Sequence, residues 1–396
     1  MDSIAALEPL PASAVCRSPD GEAPPFDLAS GFTQSVTFTE EADFRPAAGD
    51  GGNHPDQMTL NETGPDAGRF LYRTHETEEN SAVTVTDLVT GLTTVAAQAF
   101  RYEALDGIVW TPWGSLLFAE EVVVQRFPEP GVEHALRGLV HELDPSTGIV
   151  GARPALGSRS HEGMAFGSDG ALYGLSESRG VSRRGQPGQS GAILRFVPDV
   201  PGNLSAGRLY ALRVLDSATR LGDAEWIELE RAASEIDSDA EAVRVGATGW
   251  ERPEDIERWT LGNGNDVLFV SITDEHLVLR IELDGERASV SEFIRAGLNA
   301  PAAGDPSFEF PDNLALDAQG RLYVVEDNGP GDLWWVDGTP ADQTAKGLKL
   351  LASLADCAAE PTGIYHDRWR DVLRVHVQHA GGRGNDLEVV IARSTP

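Results

Sequence analysis

The apolar positions of this chain recur in short alternating runs, not in long helical stripes. Five segments align with one another: LDGIVWTPWGSLLFAEE (105–121), HEGMAFGSDGALYGLSES (161–178), RPEDIERWTLGNGNDVLFVSITD (252–274), FPDNLALDAQGRLYVVEDN (310–328) and EPTGIYHDRWRDVLRVHVQH (360–379). MTLNETGPDAGRFLYRTHE (58–76) is a weaker sixth copy. Each copy reads as a short apolar strand, a turn rich in Gly, Asp or Asn, and a second alternating strand, which is the pattern of a β-hairpin. Spacings of roughly forty to ninety residues suit four-stranded propeller blades with insertions in their loops. The text between copies supplies outer strands, such as LVHELDPSTG (139–148), GAILRFVPD (191–199) and VLRIELDGE (278–286). Helical crossovers between successive strands are missing, which argues against an α/β fold. The sequence therefore predicts an all-β chain folded as a β-propeller, six-bladed by preference, with five or seven blades as alternatives. Residues 31–396 are expected to form one propeller domain, and residues 1–30 an N-terminal extension or strap. A helix is expected as an insertion over 223–242, and a Gly/Arg/Ser loop as another over 179–190.

Composition narrows the function classes. The chain has 396 residues, enough for one large domain, and its 42 glycines and 24 prolines suit many short strands and turns. A net charge of −32 disfavours nucleic acid and anionic membrane surfaces as partners. No run approaches the roughly 20 apolar residues of a membrane span. Cys16 and Cys357 show no metal-type spacing and read as two unpaired residues. The first residues, MDSIAALEPLPASAVC, lack a basic n-region and a long apolar core, so either the protein is not exported or its leader has been removed.

The acids at the hairpin ends change the picture most. Asp106, Glu162, Glu254, Asp312 with Asn313, and Glu360 stand just before or at the start of the first strands. A second set closes the following strands: His75 and Glu76, Glu120 and Glu121, Glu177, Asp274, Glu326 and Asp327, and His379. Antiparallel return over about fourteen to nineteen residues brings both sets to one end of a propeller's channel. Two carboxylates about 5 Å apart repel by roughly 3 kcal/mol at an effective dielectric near 20. A ring of them must hold protons or cations, and oxygen-only donors suit Ca²⁺, with Mg²⁺ and Mn²⁺ fitting less well. Any one of these acids is more simply a turn or solvated residue; it is their recurrence in register that favours a cation ring. His75 and His379 read as packed or surface histidines.

These segments also resemble a known family. TPWGSLLFAEE is similar to the TPWGTWLTCEE-type motif of PhoX-like alkaline phosphatases, and HEGMAFGSDGALYGLSESRG to their H-E…G-x-x-Y-x-T-E-D-R segment. GAILRFVPD, RPEDIE, FPDNLALDAQGRLYVVEDN and EPTGIYHDRWRDVLRVHVQHAGG resemble further family stretches in the correct order, over about residues 58–382. The resemblance implies a calcium- and iron-bearing propeller phosphatase acting on a small phosphorylated substrate, in a family usually exported. It implies metal positions at Glu120, Glu121, Glu162, Glu254, Asn313 and Glu326, with Glu177 and Asp312 nearby, and a phosphate-holding role for Arg179. Glu120 is also assigned to the reacting centre. Where the family has CEE this chain has Ala119-Glu120-Glu121, and an alanine offers no thiolate to Fe³⁺. An all-oxygen calcium site survives that change, whereas an iron site would need compensation, for which Cys357 is a candidate.

Three functions are thereby open: calcium-dependent phosphomonoester hydrolysis, a calcium-stabilised binding or scaffold propeller without turnover, and a lactonase-like hydrolase suggested by fold analogy. The expected partner is a small phosphorylated molecule, with neither nucleic acid nor membrane, and the expected state is a monomer.

Overall fold

The computed structural model describes residues 8–17, 24–39, 53–180, 190–382 and 385–394. All six predicted hairpins form. Their first strands are Pro55–Leu60, Leu105–Trp110, His161–Phe166, Pro253–Thr260, Pro311–Leu316 and Glu360–Asp367. The partner strands are Phe70–His75, Leu116–Glu120, Leu172–Ser176, Asp266–Ile272, Leu322–Glu326 and Val372–Gln378. Each first strand touches the next in chain order, and Glu360–Asp367 returns to touch Pro55–Leu60, so the six close a ring. The arrangement is all-β and propeller-like.

Outward from each hairpin the sheets add strands. Ala82–Asp87 and Leu92–Gln98 complete the first sheet, and Val140–Asp144 and Ile149–Ala152 complete the second. The third and fourth hairpins belong to one nine-stranded sheet, joined where Gly222–Glu228 pairs with Arg287–Arg295. In the fourth sheet, that of the fifth hairpin, Phe26–Leu28 adds to the edge strand Gly347–Leu354, and in the last sheet Phe32–Thr39 pairs with Leu387–Arg393. An N-terminal and a C-terminal strand thus share the last sheet.

Alternating side chains of neighbouring sheets interlock to make the core. Tyr72, Val83, Leu105, Leu116 and Phe118 fill the space between the first two sheets, and Leu117, Val140, Met164, Leu172 and Leu194 the next. The seam between last and first sheets is also ionic. Glu388 is buried, accepts a hydrogen bond from Arg374 Nη1 at 2.7 Å and one from Arg73 Nε at 2.7 Å. A buried carboxylate of this kind is tolerable only because both cations pair with it.

Two expectations need correction. Cys16 and Cys357 are disulfide-bonded, with Cα atoms 5.4 Å apart across 341 residues of sequence. The bond pins the N-terminal segment, whose Ser13 and Ala14 hydrogen-bond Asp332 and Ser353, against the fifth hairpin's sheet. It also leaves Cys357 no thiolate to offer a metal. The helix expected over 223–242 is mostly something else: Gly222–Glu228 is a strand, followed by the short helices Arg231–Ser234 and Ser238–Val245. Strand pairing of Tyr210–Val214 with this segment overrides its acidic, helix-prone composition. Of the loop expected over 179–190, residues 181–189 lie outside the described residues.

Candidate metal centre

A local device repeats at the inner end of the hairpins. In five of the six, the first strand bulges between its first and fourth residues: Pro55/Met58, Leu105/Ile108, His161/Met164, Pro253/Ile256 and Pro311/Leu314. The sixth bulges later, between Thr362 and Tyr365. A bulge inserts an extra residue and re-aims the side chains around it. The second residue of each bulged strand is an acid: Asp56, Asp106, Glu162, Glu254 and Asp312. In the sixth, Glu360 comes one place earlier.

Entry into four of these strands runs through a non-glycine residue with left-handed backbone: His54, Ala104, Arg252 and Phe310, with φ of 41°, 41°, 58° and 48°. Such residues are uncommon and persist where surrounding structure over-determines them. Here each carbonyl accepts the N–H of the residue just past the returning strand: Glu76, Glu121, Thr273 and Asp327 respectively. Three of those four are acids, and Glu177 is held likewise by the Ser160 carbonyl. The two sets of acids meet at one end of the channel.

Their packing is close. Ligand oxygens of Asp56, Glu76 and Asp106 lie within 4.8 Å of one another, as do those of Asp106, Glu121 and Glu162. Glycine is required to let the strands approach: a Cβ on Gly163 would stand 2.3 Å from Asp255 Oδ1 and 2.8 Å from its Cα. Burial first, and then mutual repulsion, raises Asp106, Glu121, Glu162 and Asp312 well above the ordinary carboxyl range, and Asp56 to about 8. Glu254 is also raised by burial, against the pull of Arg252.

Among the described residues, the arginines paired with this cluster are Arg252 and Arg179. Arg252 sits within it, its guanidinium 2.5 Å from Glu177, 2.5 Å from Glu254 and 3.0 Å from Asp327. Arg179 lies at the rim, 3.7 Å from Glu177 and 2.7 Å from Asp274.

Of the acids singled out from sequence, the structure brings together Glu76, Asp106, Glu121, Glu162, Glu177, Glu254, Asp312 and Asp327. Asn313 is one residue deeper, its Oδ1 accepting from Thr362 Oγ1 at 2.8 Å and Gly363 N–H at 2.5 Å. Glu120 and Glu326 are not brought to the channel. Glu120 Oε2 accepts from Leu139 N–H at 3.0 Å, while Glu326 Oε1 accepts from Glu309 N–H and Trp334 Nε1–H, both at 2.8 Å. Strand alternation is the reason. Each closes its strand facing the neighbouring sheet, and the next residue, Glu121 or Asp327, faces the channel. Asp56 and Arg252 escape sequence reasoning, the first because its strand opens on polar text and the second because a left-handed arginine carries no sequence mark.

The donor set is carboxylate oxygen. Asp106 Oδ1 is buried without a hydrogen bond, and so is Glu254 Oε1, which is near Arg252 but outside hydrogen-bond geometry. Buried acceptors left over in a crowded anionic cluster fit hard divalent cations. A thiolate-ligated iron does not fit: Ala119 is fully buried among Leu117, Val140 and Leu156.

A family model described as alkaline phosphatase PhoX matches residues 107–381. The structure of Pseudomonas fluorescens PhoX in complex with vanadate, a transition-state analogue, is similar at a TM-score of 0.68 and 17% identity, covering 97% of this chain and 98% of that one. An auxiliary nutrient binding protein from Bacteroides thetaiotaomicron is similar at a TM-score of 0.51 and 12% identity, covering 96% of this chain and 75% of that one. No curated protein sequence matches the chain. Among the described residues no helix is long and apolar enough to cross a membrane.

Proposed function

The chain belongs to the PhoX alkaline phosphatase family, and from that premise we propose that it is a calcium-dependent phosphomonoesterase whose cations sit in the carboxylate ring. The observation that carries this reading is the convergence of Asp56, Glu76, Asp106, Glu121 and Glu162 around buried, unsatisfied oxygen, with one guanidinium set into the same ring. Divalent cations, when bound, supply Lewis-acid neutralisation of a phosphoryl group's oxygens.

The chain's own residues do the rest. Arg252, held by Glu177, Glu254 and Asp327, presents a planar fork to the channel and would offer an N–H group to a phosphoryl oxygen there. Arg179 adds a second cationic contact from the rim. Asn313 links the fifth hairpin to the sixth through Gly363 and holds the ring's spacing. Glu120 acts as a positioning residue, tying the strand end that carries Glu121 to Leu139. We count six blades, dividing the nine-stranded sheet at the pairing of Gly222–Glu228 with Arg287–Arg295; within the expected strap, residues 8–17 lie against the fifth blade and Phe26–Leu28 adds a strand to it.

The test is metal analysis of protein purified without chelators, beside hydrolysis of p-nitrophenyl phosphate. Turnover should disappear with EGTA and return with Ca²⁺. Calcium-loaded protein that stays inactive from neutral to alkaline pH would sink the proposal. One observation favours a second reading, a calcium-stabilised propeller without turnover: no thiolate reaches the ring, since Ala119 is apolar-packed and Cys357 is disulfide-bonded. Calcium without iron, a melting temperature lowered by chelator, and no hydrolysis would establish it.

A further inference from the structure

Past the acids, the first strands of all six hairpins run on to the opposite mouth of the channel, where they enclose a second space. Neighbouring strands are drawn together just beyond the ring. A Cβ on Gly107 would stand 2.4 Å from the Glu162 carbonyl oxygen, and one on Gly363 1.9 Å from that of Asp56. Gln57 Nε2 reaches across this level to donate to Glu162 Oε2 at 3.2 Å. Beyond it lies a cavity of about 500 Å³. Its wall is apolar on the middle residues of the strands, with Met58, Ile108, Met164, Leu314 and Ile364, and aromatic further on, with Trp110, Trp259 and Tyr365.

The charged groups of this cup are mainly acids, and its arginines are already engaged. Glu62 accepts from Tyr365 Oη at 2.8 Å and stands 3.7 Å from Arg368, while Asp317 is held by Arg321. Arg258 turns to Asp266 at 3.1 Å and to Thr260 Oγ1 at 2.6 Å. Among the described residues no ion pair reaches Asp255 or Glu257. Asp255 instead accepts the N–H groups of Ile256 and Leu314, at 2.7 and 2.8 Å. Glu257 is half-buried in the wall. Burial first, and then the charges of Asp255 and Glu62, disfavour its ionised form more than the Arg258 N–H and guanidinium favour it. A positive charge beside Glu257 is therefore what the cup does not supply for itself, and its volume is that of a small-molecule pocket.

We propose that this cup is a second ligand site and takes a small organic ammonium ion, with its N–H groups on the Glu257 carboxylate and its hydrocarbon body against Met58, Met164 and Ile364. A carboxylate in an apolar enclosure selects a cation that brings its own hydrogen-bond donors. Indole and phenol rings at the mouth favour positive charge as well. Inorganic cations gain nothing from such a wall, and a phosphate ester meets Glu62, Asp255 and Glu257 as like charges. The site thus differs from the carboxylate ring in place and in chemistry, and it stands apart from the proposed reaction.

The chain has three methionines, and two of them, Met58 and Met164, are buried in this wall, so their methyl groups report on the cup directly. The full chain, ¹³C-labelled at its methionine methyls and held in Ca²⁺, is titrated with phenethylammonium and followed by methyl NMR. Sodium chloride at about 0.15 M screens diffuse attraction to the acidic surface. The Met58 and Met164 resonances should shift along one saturable curve. Phenethyl alcohol, which keeps the body and lacks the charge, should bind about tenfold or more weakly, and Glu257→Gln should weaken the ammonium by a similar factor. Absence of saturable shifts overturns the inference, as does equal affinity for alcohol and ammonium or an unchanged affinity in Glu257→Gln. If that variant does not fold, the comparison of the two probes on wild type decides. Repeating the titration in EGTA separates the cup from the ring: shifts that persist where Ca²⁺ gives neither stabilisation nor turnover would sustain this site while refuting the calcium-dependent phosphatase.

Discussion

In the cation-free protein, stability should fall as pH rises above neutrality. In the folded, cation-free chain, burial first and neighbouring carboxylates second lift Asp56 to about 8 and raise Asp106, Glu121, Glu162, Glu254 and Asp312 well above the ordinary range. In the unfolded chain the same groups are ionised above about pH 5. The folded state therefore binds more protons, and each such group contributes stability that is present at low pH and lost as pH rises through its folded value. Between pH 7 and 8, Asp56 alone accounts for about 1 kcal/mol, and the other five act in the same direction. With an unfolding entropy of about 0.8 kcal/mol per kelvin for a chain of this length, the contribution of Asp56 alone lowers the melting temperature by about 1 °C. The window is chosen above pH 7 because burial holds His75, His161 and His376 below the usual histidine value. Most of their opposing contribution therefore lies below pH 7. Calcium at a hundredfold excess over its dissociation constant adds about 2.7 kcal/mol and should flatten the slope, since it binds the ionised form. Differential scanning calorimetry in EGTA and in Ca²⁺, at both pH values, reads all four quantities. A melting temperature in EGTA that is flat or rising from pH 7 to 8 would refute the reasoning, and so would a smaller calcium shift at pH 8 than at pH 7.

Arg252→Gln removes the guanidinium from Glu177, Glu254 and Asp327. Breaking buried pairs of this kind costs about 3–5 kcal/mol, read by denaturant unfolding of the cation-free protein. On the proposed function kcat/KM for p-nitrophenyl phosphate falls roughly 100-fold or more, and Arg252→Lys recovers stability better than rate because it lacks the fork. Cys16→Ser opens the bond to Cys357 and should lower stability by about 2–5 kcal/mol, the range for disulfides closing long loops; an unchanged unfolding midpoint under oxidising conditions would count against the pairing. Gly363→Ala places a Cβ 1.9 Å from the Asp56 carbonyl at a φ of +54°. It should cost about 2–4 kcal/mol by displacing backbone and weaken calcium binding by calorimetric titration, because Asp56 must move.

Hairpins were legible because short apolar runs, such as Leu172–Ser176 and Asp266–Ile272, which are buried along their whole length, are bracketed by turns that glycine, aspartate and asparagine mark. The ring was legible only to within a residue. Reading along the strand to its last acid leads to Glu120 and Glu326, which accept hydrogen bonds from neighbouring loops; the channel is faced by Glu121 and Asp327. What sets that phase is the bulge and the left-handed entry residue, and neither has a composition: His54, Ala104, Arg252 and Phe310 share one backbone state with four unrelated side chains. The disulfide was invisible for a different reason, since 341 residues separate its halves and no local pattern reports their meeting.

Those four residues also show how a repeated backbone acquires unlike chemistry. The entry position has the same backbone state in four of the six hairpins, and the side chain that stands there differs in each. An arginine there sets a cation against Glu177, Glu254 and Asp327, on the third, fourth and fifth hairpins. The carboxylate triads Asp56–Glu76–Asp106 and Asp106–Glu121–Glu162 lie on the first, second and third, with no arginine paired to them among the described residues. Charge around the ring is therefore polarised: one arc is compensated by the protein, and the other lacks a cation of its own. Under the proposed function the uncompensated arc draws divalent cations, and the arginine arc faces the phosphoryl group those cations hold. Moving the arginine to the equivalent position of the second hairpin, by combining Ala104→Arg with Arg252→Ala, keeps the formal charge and reverses the polarity. If the arcs matter and not merely the net charge, that double variant should lose calcium affinity at least tenfold by calorimetric titration, whereas a net-charge effect alone would leave the affinity unchanged.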